Sequence, residues 1–469
     1  LAFVALSVFG MRTSRAKAWV ARGERAASGA VPAPAVASLM GIVALSAGTW
    51  GGGEYARFFW LPPAEPWGEA PETAEPLFEA SGARALATDS TQAYNVVIVI
   101  QESVRARSTG PWGGPSPTPA LDSLAARGLV VDELLAMTPY TNKTVGALLA
   151  GVAPSPKTRL EATRPGGLPA VGLPDLLRPH GYRSAFFTPA TLFYERKDRI
   201  LENLGFDYMA GADEIDPEYD LQYDPRVLGV DDQAVVEPTL EWVASGDEPF
   251  LLSLLTLSGH YPYVIAPEAP TWGLSDAELE ADYLDAVAYT DRTLGALVDG
   301  LDALGVLDST IIIIVGDHGQ AFGEYGLYAH GDGLYQEALH VPGVVVAPGL
   351  APGRARGARQ LTDIVPTVLD LLDLRLDNAR LPGRSLLTAE DPSREIVSAS
   401  HHEHMATSWR QGRWKAICRL TCREMEVYDI SVDPHETQNV AEQWPLARRD
   451  SVGRAMAAWR ARAAAAYGL

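Results

Sequence analysis

The sequence predicts an α/β fold, a mostly parallel central sheet covered by helices on both faces, with a small C-terminal α+β subdomain after it. Three observations predict it. Short runs at residues 95–100 (NVVIVI), 250–257 (FLLSLLTL) and 310–315 (TIIIIV) are apolar at nearly every position, as strands buried on both faces must be. Helical patterns such as 121–127, 173–177 and 279–301 lie between or beside these runs, the alternation of a parallel sheet joined by helical crossovers. Beyond about residue 375 the pattern changes to short strands, 395–399, 414–418 and 426–430, separated by turn-forming segments, and this indicates an antiparallel subdomain.

From its first residue the chain presents an apolar stretch, 1–10, and then a basic one with Arg12, Arg15, Lys17, Arg22 and Arg25. The apolar opening reads as the remainder of a longer N-terminus. No residue from 26 to 53 is charged. At about 1.5 Å per residue that length can cross a hydrocarbon core of about 30 Å. One transmembrane helix is expected at about 31–50, inside a membrane-associated segment 1–60. Basic residues before the span and almost none after it put the rest of the chain outside the cytoplasm, in the periplasm or at the cell surface. Residues 61–92, rich in Pro, Glu and Ala, read as an exposed linker. A catalytic domain is expected at 93–375 and the C-terminal subdomain at 376–469. A chain of 469 residues with 47% hydrophobic side chains is long enough for both.

Charge and cysteine content exclude some functions. A formal net charge of -21 argues against nucleic acid as a partner, because phosphate-backbone binding needs a basic face that releases counterions. An anionic substrate must then be met by a local site, most simply a metal ion. The two cysteines, Cys418 and Cys422, cannot form a disulfide framework, and their spacing supplies only half a zinc site. A short hairpin disulfide is the expected arrangement outside the cytoplasm.

The buried runs end in chemistry-bearing residues. The first stops at Gln101 and Glu102, the second at Ser258, Gly259 and His260, the third at Gly316, Asp317 and His318. Open parallel sheets place their ligand crevice at the carboxyl ends of the strands, so the coincidence marks a site. Glu102, Asp317 and His318 are ligands of the kind divalent ions take, and they fill three of four or more coordination positions. The segment 139–151 (PYTNKTVGALLAG) places Thr141 and Thr144 at the start of a predicted helix. Free amides and the positive end of the helix dipole there suit an anionic ester. A threonine at a helix start is otherwise an N-cap.

On these residues the chain resembles the sulfatase family of the alkaline phosphatase superfamily, and more closely its lipoteichoic acid synthase and phosphoethanolamine transferase branch. NVVIVIQESVRAR (95–107) is similar to the family's opening strand and metal-binding acid, TPALDSLAARG (118–128) to the helix that follows, and GDHGQAFGEYGLYAHG (316–331) to its late metal motif. LTLSGHYPY (255–263), LTDIVPTVLDLL (361–372), GRWKAI (412–417) and EVYDISVDPHETQNVAE (426–442) follow in the family's order. The resemblance implies the alkaline phosphatase-like fold, one divalent metal ion (Zn, Mn, Mg or Ca) held by Glu102, Thr141, Asp317 and His318, and substrate contacts from His260 and His330. Sulfatases carry Cys or Ser in a C/S-x-P-x-R motif that is oxidised to formylglycine. Here the position ten residues before Gly151 is Thr141, with Lys143 and Val145 where Pro and Arg would stand. Threonine cannot become formylglycine, whereas the lipoteichoic acid synthase branch uses an unmodified threonine as metal ligand and nucleophile. Thr141 takes that role by the resemblance, with Thr144 as the alternative.

The function implied is an extracytoplasmic, metal-dependent phosphotransferase or phosphodiesterase acting by double displacement on an envelope lipid or glycan. Its partners would be an anionic ester, a phospholipid donor and a lipid or glycan acceptor at the membrane. A sulfatase-like hydrolase of sulfate or phosphate monoesters without formylglycine, and a non-catalytic binding protein on the same fold, are the alternatives. His180 and His435 read as surface residues, His401, His402 and His404 as an incidental exposed cluster, and His340 has no assigned role.

Overall fold

Alternate residues of a strand face opposite sides, and in strand β1 (Asn95–Gln101) both sides are apolar. Val96, Ile98 and Ile100 enter one core, with Val145, Leu148 and Leu149 of α2 (Thr141–Ala150) and Ile364 and Val368 of α6 (Ile364–Leu371). Val97 and Val99 enter a second, with Leu121 and Leu124 of α1 (Pro119–Arg127) and Leu294, Leu297 and Leu301 of α5 (Asp276–Ala303). The run at β6 (Thr310–Gly316) divides in the same way, Ile311 and Ile313 to the first core, Ile312 and Ile314 to the second. Helices therefore cover both faces of the sheet, the arrangement its uninterrupted apolar strands require.

These features belong to a computed structural model that describes residues 74–216, 228–263, 265, 275–331, 333–401, 406–419 and 424–469. The described residues form a nine-stranded sheet. Its other strands are β2 (Leu129–Leu135), β3 (Arg183–Phe187), β4 (Tyr208–Ala210), β5 (Phe250–Leu255), β7 (His340–Val341), β8 (Gly343–Val346) and β9 (Gly353–Gln360). The order is β7-β2-β8-β6-β1-β5-β3-β4, with β9 on the other side of β2. From β6 to β4 all neighbours are parallel, while β8 runs antiparallel to both β2 and β6. This is the expected α/β architecture. In register, Ile100 lies between Leu255 and Val315, and Gln101 pairs with Gly316, so the three candidate strand ends finish level at one edge.

Helices α3 (Leu173–Leu177) and α4 (Lys197–Leu204) complete the first face. Strand β5 ends two residues earlier than its apolar run suggests. The Thr256 amide still donates to the Ile100 carbonyl at 3.0 Å, but its hydroxyl accepts from the Glu102 amide at 3.0 Å and the chain turns away.

The small C-terminal sheet is also present, in the order β10 (Ile396–Ala399), β11 (Ala406–Gln411), β12 (Trp414–Arg419) and β13 (Met425–Asp429), every pair antiparallel. Helix α7 (Leu446–Ala466) packs Val452 and Met456 into the core of this sheet, beside Trp409 and Trp444. Cys418 is disulfide-bonded and stands opposite Met425; the other cysteine, Cys422, lies outside the described residues.

The expected linker differs. Residues 61–73 lie outside the described part, but 74–92 pack against the body, with Phe78 only 2% exposed and Arg84–Ala87 paired antiparallel with Leu374–Asp377. A strand with a partner almost three hundred residues away leaves no mark in local composition. The described residues fall within one compact unit, Pro66–Leu469. The expected transmembrane segment 31–50 lies outside the described residues, and among those described no helix is long and apolar enough to cross a membrane.

One buried charge ties the start of α6 to the approach to the C-terminal sheet. Asp363 is fully buried and accepts from the amides of Gln360 (3.0 Å) and Arg384 (2.9 Å) and from both terminal nitrogens of Arg394 (2.8 and 2.7 Å). Replacing Asp363 by Ala strands the Arg394 guanidinium, and the expected loss is about 3–5 kcal/mol. Adding Arg394→Leu should restore part of it, and urea unfolding of both variants checks this; an Asp363→Ala midpoint equal to wild type would contradict the assignment.

Candidate metal and nucleophile site

Because Gln101 and Gly316 are paired neighbours, the residues that follow them, Glu102 and Asp317, leave the sheet side by side. The backbone then bends sharply. Ser103 adopts a left-handed φ of 58°, which turns its amide onto Asp317 Oδ1 at 2.8 Å, while its hydroxyl donates to Glu102 Oε1 at 2.9 Å. The His318 amide supplies a second bond to Asp317 Oδ1 at 2.7 Å. Gly259 permits the loop after β5 to cross here, since a Cβ on it would lie 2.0 Å from the Glu102 carbonyl oxygen.

Glu102, Asp317 and His318 are all buried, and one ligand atom from each lies within 4.8 Å of the others. His318 Nε2 is 3.3 Å from Asp317 Oδ2 and 3.9 Å from Glu102 Oε1. The other ring nitrogen of His318 donates to the Gly319 carbonyl at 3.0 Å, which orients the ring with Nε2 towards the carboxylates. Thr141 joins the group, its Oγ1 standing 3.1 and 3.3 Å from the Glu102 oxygens and 3.2 Å from His318 Nε2. The four residues read from the sequence as a ligand set therefore converge on one point.

The first residue of α2 is Thr141, not its N-cap, and no side chain caps this helix. Thr144, one turn on, is fully buried, and its hydroxyl donates to the Thr138 carbonyl at 3.0 Å. Lys143, where the formylglycine motif has proline, is buried and donates to the carbonyls of Ser155, Lys157 and His401. It pins the turn that bears Thr141 to two loops.

The electrostatics ask for a cation. Burial, and then the charge of Glu102, push Asp317 up to about 7. Burial also opposes ionisation of Glu102, but His318, His260 and Lys197 outweigh it and hold its pKa below the usual range. Asp317 Oδ2 is buried with no hydrogen-bond partner, a cost that a coordinated ion removes. Two carboxylates, an imidazole and a hydroxyl are a donor set that Zn²⁺ or Mn²⁺ takes. The residues present thus fit one divalent ion.

The group opens into a cavity of about 130 Å³, lined among others by Thr141, Lys197, Glu195, His260 and His330. His330 stacks on the His318 ring at 4.2 Å between centroids, and its Nδ1 lies 3.0 Å from the Gln320 amide oxygen. His260 lies 6.3 Å from His330, centroid to centroid. Both histidines read from the sequence thus face the same space.

Sequence reasoning missed Lys197 and Glu195. Lys197 is 5% exposed and its side chain makes no hydrogen bond or ion pair among the described residues, so its ammonium is left to the cavity. Burial lowers its pKa although Glu102, Asp317 and Glu195 act the other way. The available signal was position: YERK (194–197) follows β3 at the carboxyl edge of the sheet. His401 also departs from expectation, being 8% exposed and stacked on Tyr140 at 3.6 Å and 5°. His435 is exposed as expected, His180 is partly buried, and His340 is spent on the Asp132 carbonyl at 3.1 Å. His402 and His404 lie outside the described residues.

The sulfatase family model matches residues 94–374. Choline-sulfatase of Rhizobium meliloti (strain 1021) is 25% identical over 295 residues, 53% of this chain; the match spans just over half, 57%, of that enzyme's length. Among solved structures, a protein of the alkaline phosphatase superfamily from Vibrio parahaemolyticus has a TM-score of 0.64 at 22% identity, covering 82% of this chain and 89% of its own. The lipoteichoic acid synthase LtaP of Listeria monocytogenes follows at 0.62 and 18% identity, covering 81% of this chain and 95% of that one. At these identities the structures establish the fold.

An ion that relieves two buried carboxylates must stabilise the folded protein. Saturating Zn²⁺ or Mn²⁺, at about a hundredfold over Kd, should add about 2.7 kcal/mol. Asp317→Asn and Glu102→Gln should each remove most of that gain in thermal melts. A wild-type midpoint that ignores Zn²⁺, Mn²⁺, Mg²⁺ and Ca²⁺ alike rules the site out.

Proposed function

Since this chain belongs to the sulfatase family of the alkaline phosphatase superfamily, we propose that it is a metal-dependent phosphotransferase or phosphodiesterase with Thr141 as its nucleophile. The observation that carries the reading is the placement of the Thr141 hydroxyl, 3.1 Å from Glu102 and 3.2 Å from His318, at the uncapped start of α2. A divalent ion held by Glu102, Asp317, His318 and Thr141 would supply Lewis-acid stabilisation and lower the pKa of the threonine hydroxyl.

Lys197 would bind an oxygen of the anionic group, since its ammonium has no protein partner among the described residues and such contacts strengthen in a water-poor site. The Thr141 oxygen, having released its proton to solvent, then forms a bond to phosphorus as the bond to the leaving alkoxy oxygen breaks, and the protonated imidazole of His260 or His330 gives that leaving oxygen a proton. In the second half an acceptor alcohol or water attacks phosphorus, the threonine ester bond breaks, and the acceptor's proton returns to the imidazole. An unmodified threonine has one oxygen on Cβ, so its ester is released only by attack at the central atom. Double displacement at phosphorus meets that requirement.

A phospholipid donor and an envelope lipid or glycan acceptor fit an extracytoplasmic, membrane-anchored chain. The charge asymmetry around residues 26–53 and the disulfide at Cys418 support that location. Hydrolysis of a sulfate or phosphate monoester is the second reading, supported by the match to choline-sulfatase.

Incubating the metal-loaded protein with a phospholipid donor and measuring intact mass should reveal an adduct that peptide mapping assigns to Thr141. Thr141→Ala should abolish adduct and turnover without lowering stability. Thr144→Ala should keep the adduct but cost about 1 kcal/mol, because it removes one of the two hydrogen bonds to the buried Thr138 carbonyl, the Tyr140 amide keeping the other at 2.9 Å. If the two variants behave the other way round, the nucleophile is Thr144, and turnover without any adduct overturns double displacement.

A further inference from the structure

The cavity holds a carboxylate that the ion-binding group does not use. Glu195 lies on its wall, outside the cluster of Glu102, Asp317 and His318. The residues on either side of Thr141 hold it in place: the Tyr140 hydroxyl donates to Oε1, and Asn142 Nδ2 to Oε2 at 3.2 Å. Tyr140 is itself fixed by its stack on His401. Both donors are neutral, so the carboxylate is oriented without being neutralised.

Two cations follow Glu195 in the chain, and neither forms an ion pair with it. Arg196 pairs with Asp198 at 3.1 Å, and Lys197 has no carboxylate within ion-pair distance among the described residues. Nor does Glu195 have an ion-pair partner among them. The backbone is bent to achieve this placement. Glu195 and Arg196 take left-handed φ values of 51° and 59°, a conformation side-chain-bearing residues avoid and which collects at functional sites. Tyr140 and Tyr194 line the same cavity.

A carboxylate without an ion-pair partner beside the candidate nucleophile disfavours a purely anionic ester. It would attract a substrate that also carries a positive charge. We propose that Glu195, held by Tyr140 and Asn142, is a subsite for an ammonium group, so that the ester taken by this site is zwitterionic, with an amine on the alcohol or sugar it esterifies. In that arrangement Lys197 meets the anionic oxygens and Glu195 the amine, and the two opposite charges orient the ester across Thr141. The proposal rests on the reading that the cavity binds anionic esters.

The test uses the full metal-loaded chain carrying Thr141→Ala, so that bound esters are not consumed, and calorimetric titration with two matched pairs. These are O-phosphorylethanolamine against glycerol 1-phosphate, and glucosamine 6-phosphate against glucose 6-phosphate. The amine of at least one pair should bind about tenfold more tightly, the scale of one charge-assisted contact. Glu195→Gln removes the charge while keeping an acceptor oxygen for one of the two donors, Tyr140 or Asn142, and should bring that ratio to about one. A preference within the first pair alone identifies a small amino alcohol, and within the second alone an amino sugar. Equal affinities within both pairs, or a ratio that survives Glu195→Gln, overturns the ammonium subsite and leaves the anionic-ester reading standing. If none of the four phosphates binds, both fall.

Discussion

The buried pair Glu102 and Asp317 is the constraint around which the molecule is arranged. Two carboxylates at the ends of neighbouring parallel strands repel each other, and burial denies them the water that would soften the repulsion. The fold nevertheless keeps them together. Asp317 Oδ1 is saturated by two amides, and the left-handed turn at Ser103 exists to deliver one of them. Asp317 Oδ2 is left bare. The geometry is that of a site whose last partner is a cation.

Around this pair the structure spends its rigid elements on holding a threonine. Strands β1 and β6 cannot slip against each other without exchanging their two apolar faces, so the carboxylates are fixed by the core itself. Helix α2 is fastened at its first turn by the buried Thr144 hydroxyl and by the Lys143 ammonium reaching three carbonyls. Every residue from Asn142 to Ala150 is buried, while Thr141 is partly open. The one partly exposed residue of the helix is thus the one that stands beside the carboxylates.

Charge in the cavity is distributed by sign. Although the chain carries a formal net charge of -21, the ammonium of Lys197 is buried in the cavity wall without a protein partner among the described residues. Long-range attraction is therefore unavailable to an anionic ester, and recognition must come from short-range contacts in a space of about 130 Å³. A cavity of that size takes the esterified group and the atoms nearest it, which leaves the rest of any larger substrate at the mouth.

By itself the sequence determined the strands and the ligand types. An apolar run such as TIIIIV can only be a strand buried on both faces, and the polar residues that end it must lie at the sheet edge, so Glu102, Asp317, His318 and His260 were legible from strand ends alone. Thr141 was legible only through the family resemblance, which implies a nucleophile ten residues before Gly151. Cys418 and the small antiparallel sheet were read from local pattern as well. What the sequence could not express is which distant segments meet. The pairing of 84–87 with 374–377, the seating of Lys197 and Glu195 opposite Thr141, and the choice between Thr141 and Thr144 all depend on contacts between residues far apart in the chain. Local periodicity records the burial of a face, because every turn of helix or strand repeats it, but it carries no information about the partner on the other side. The tertiary structure supplied that partner, and with it the difference between a threonine that packs and one that faces the cavity.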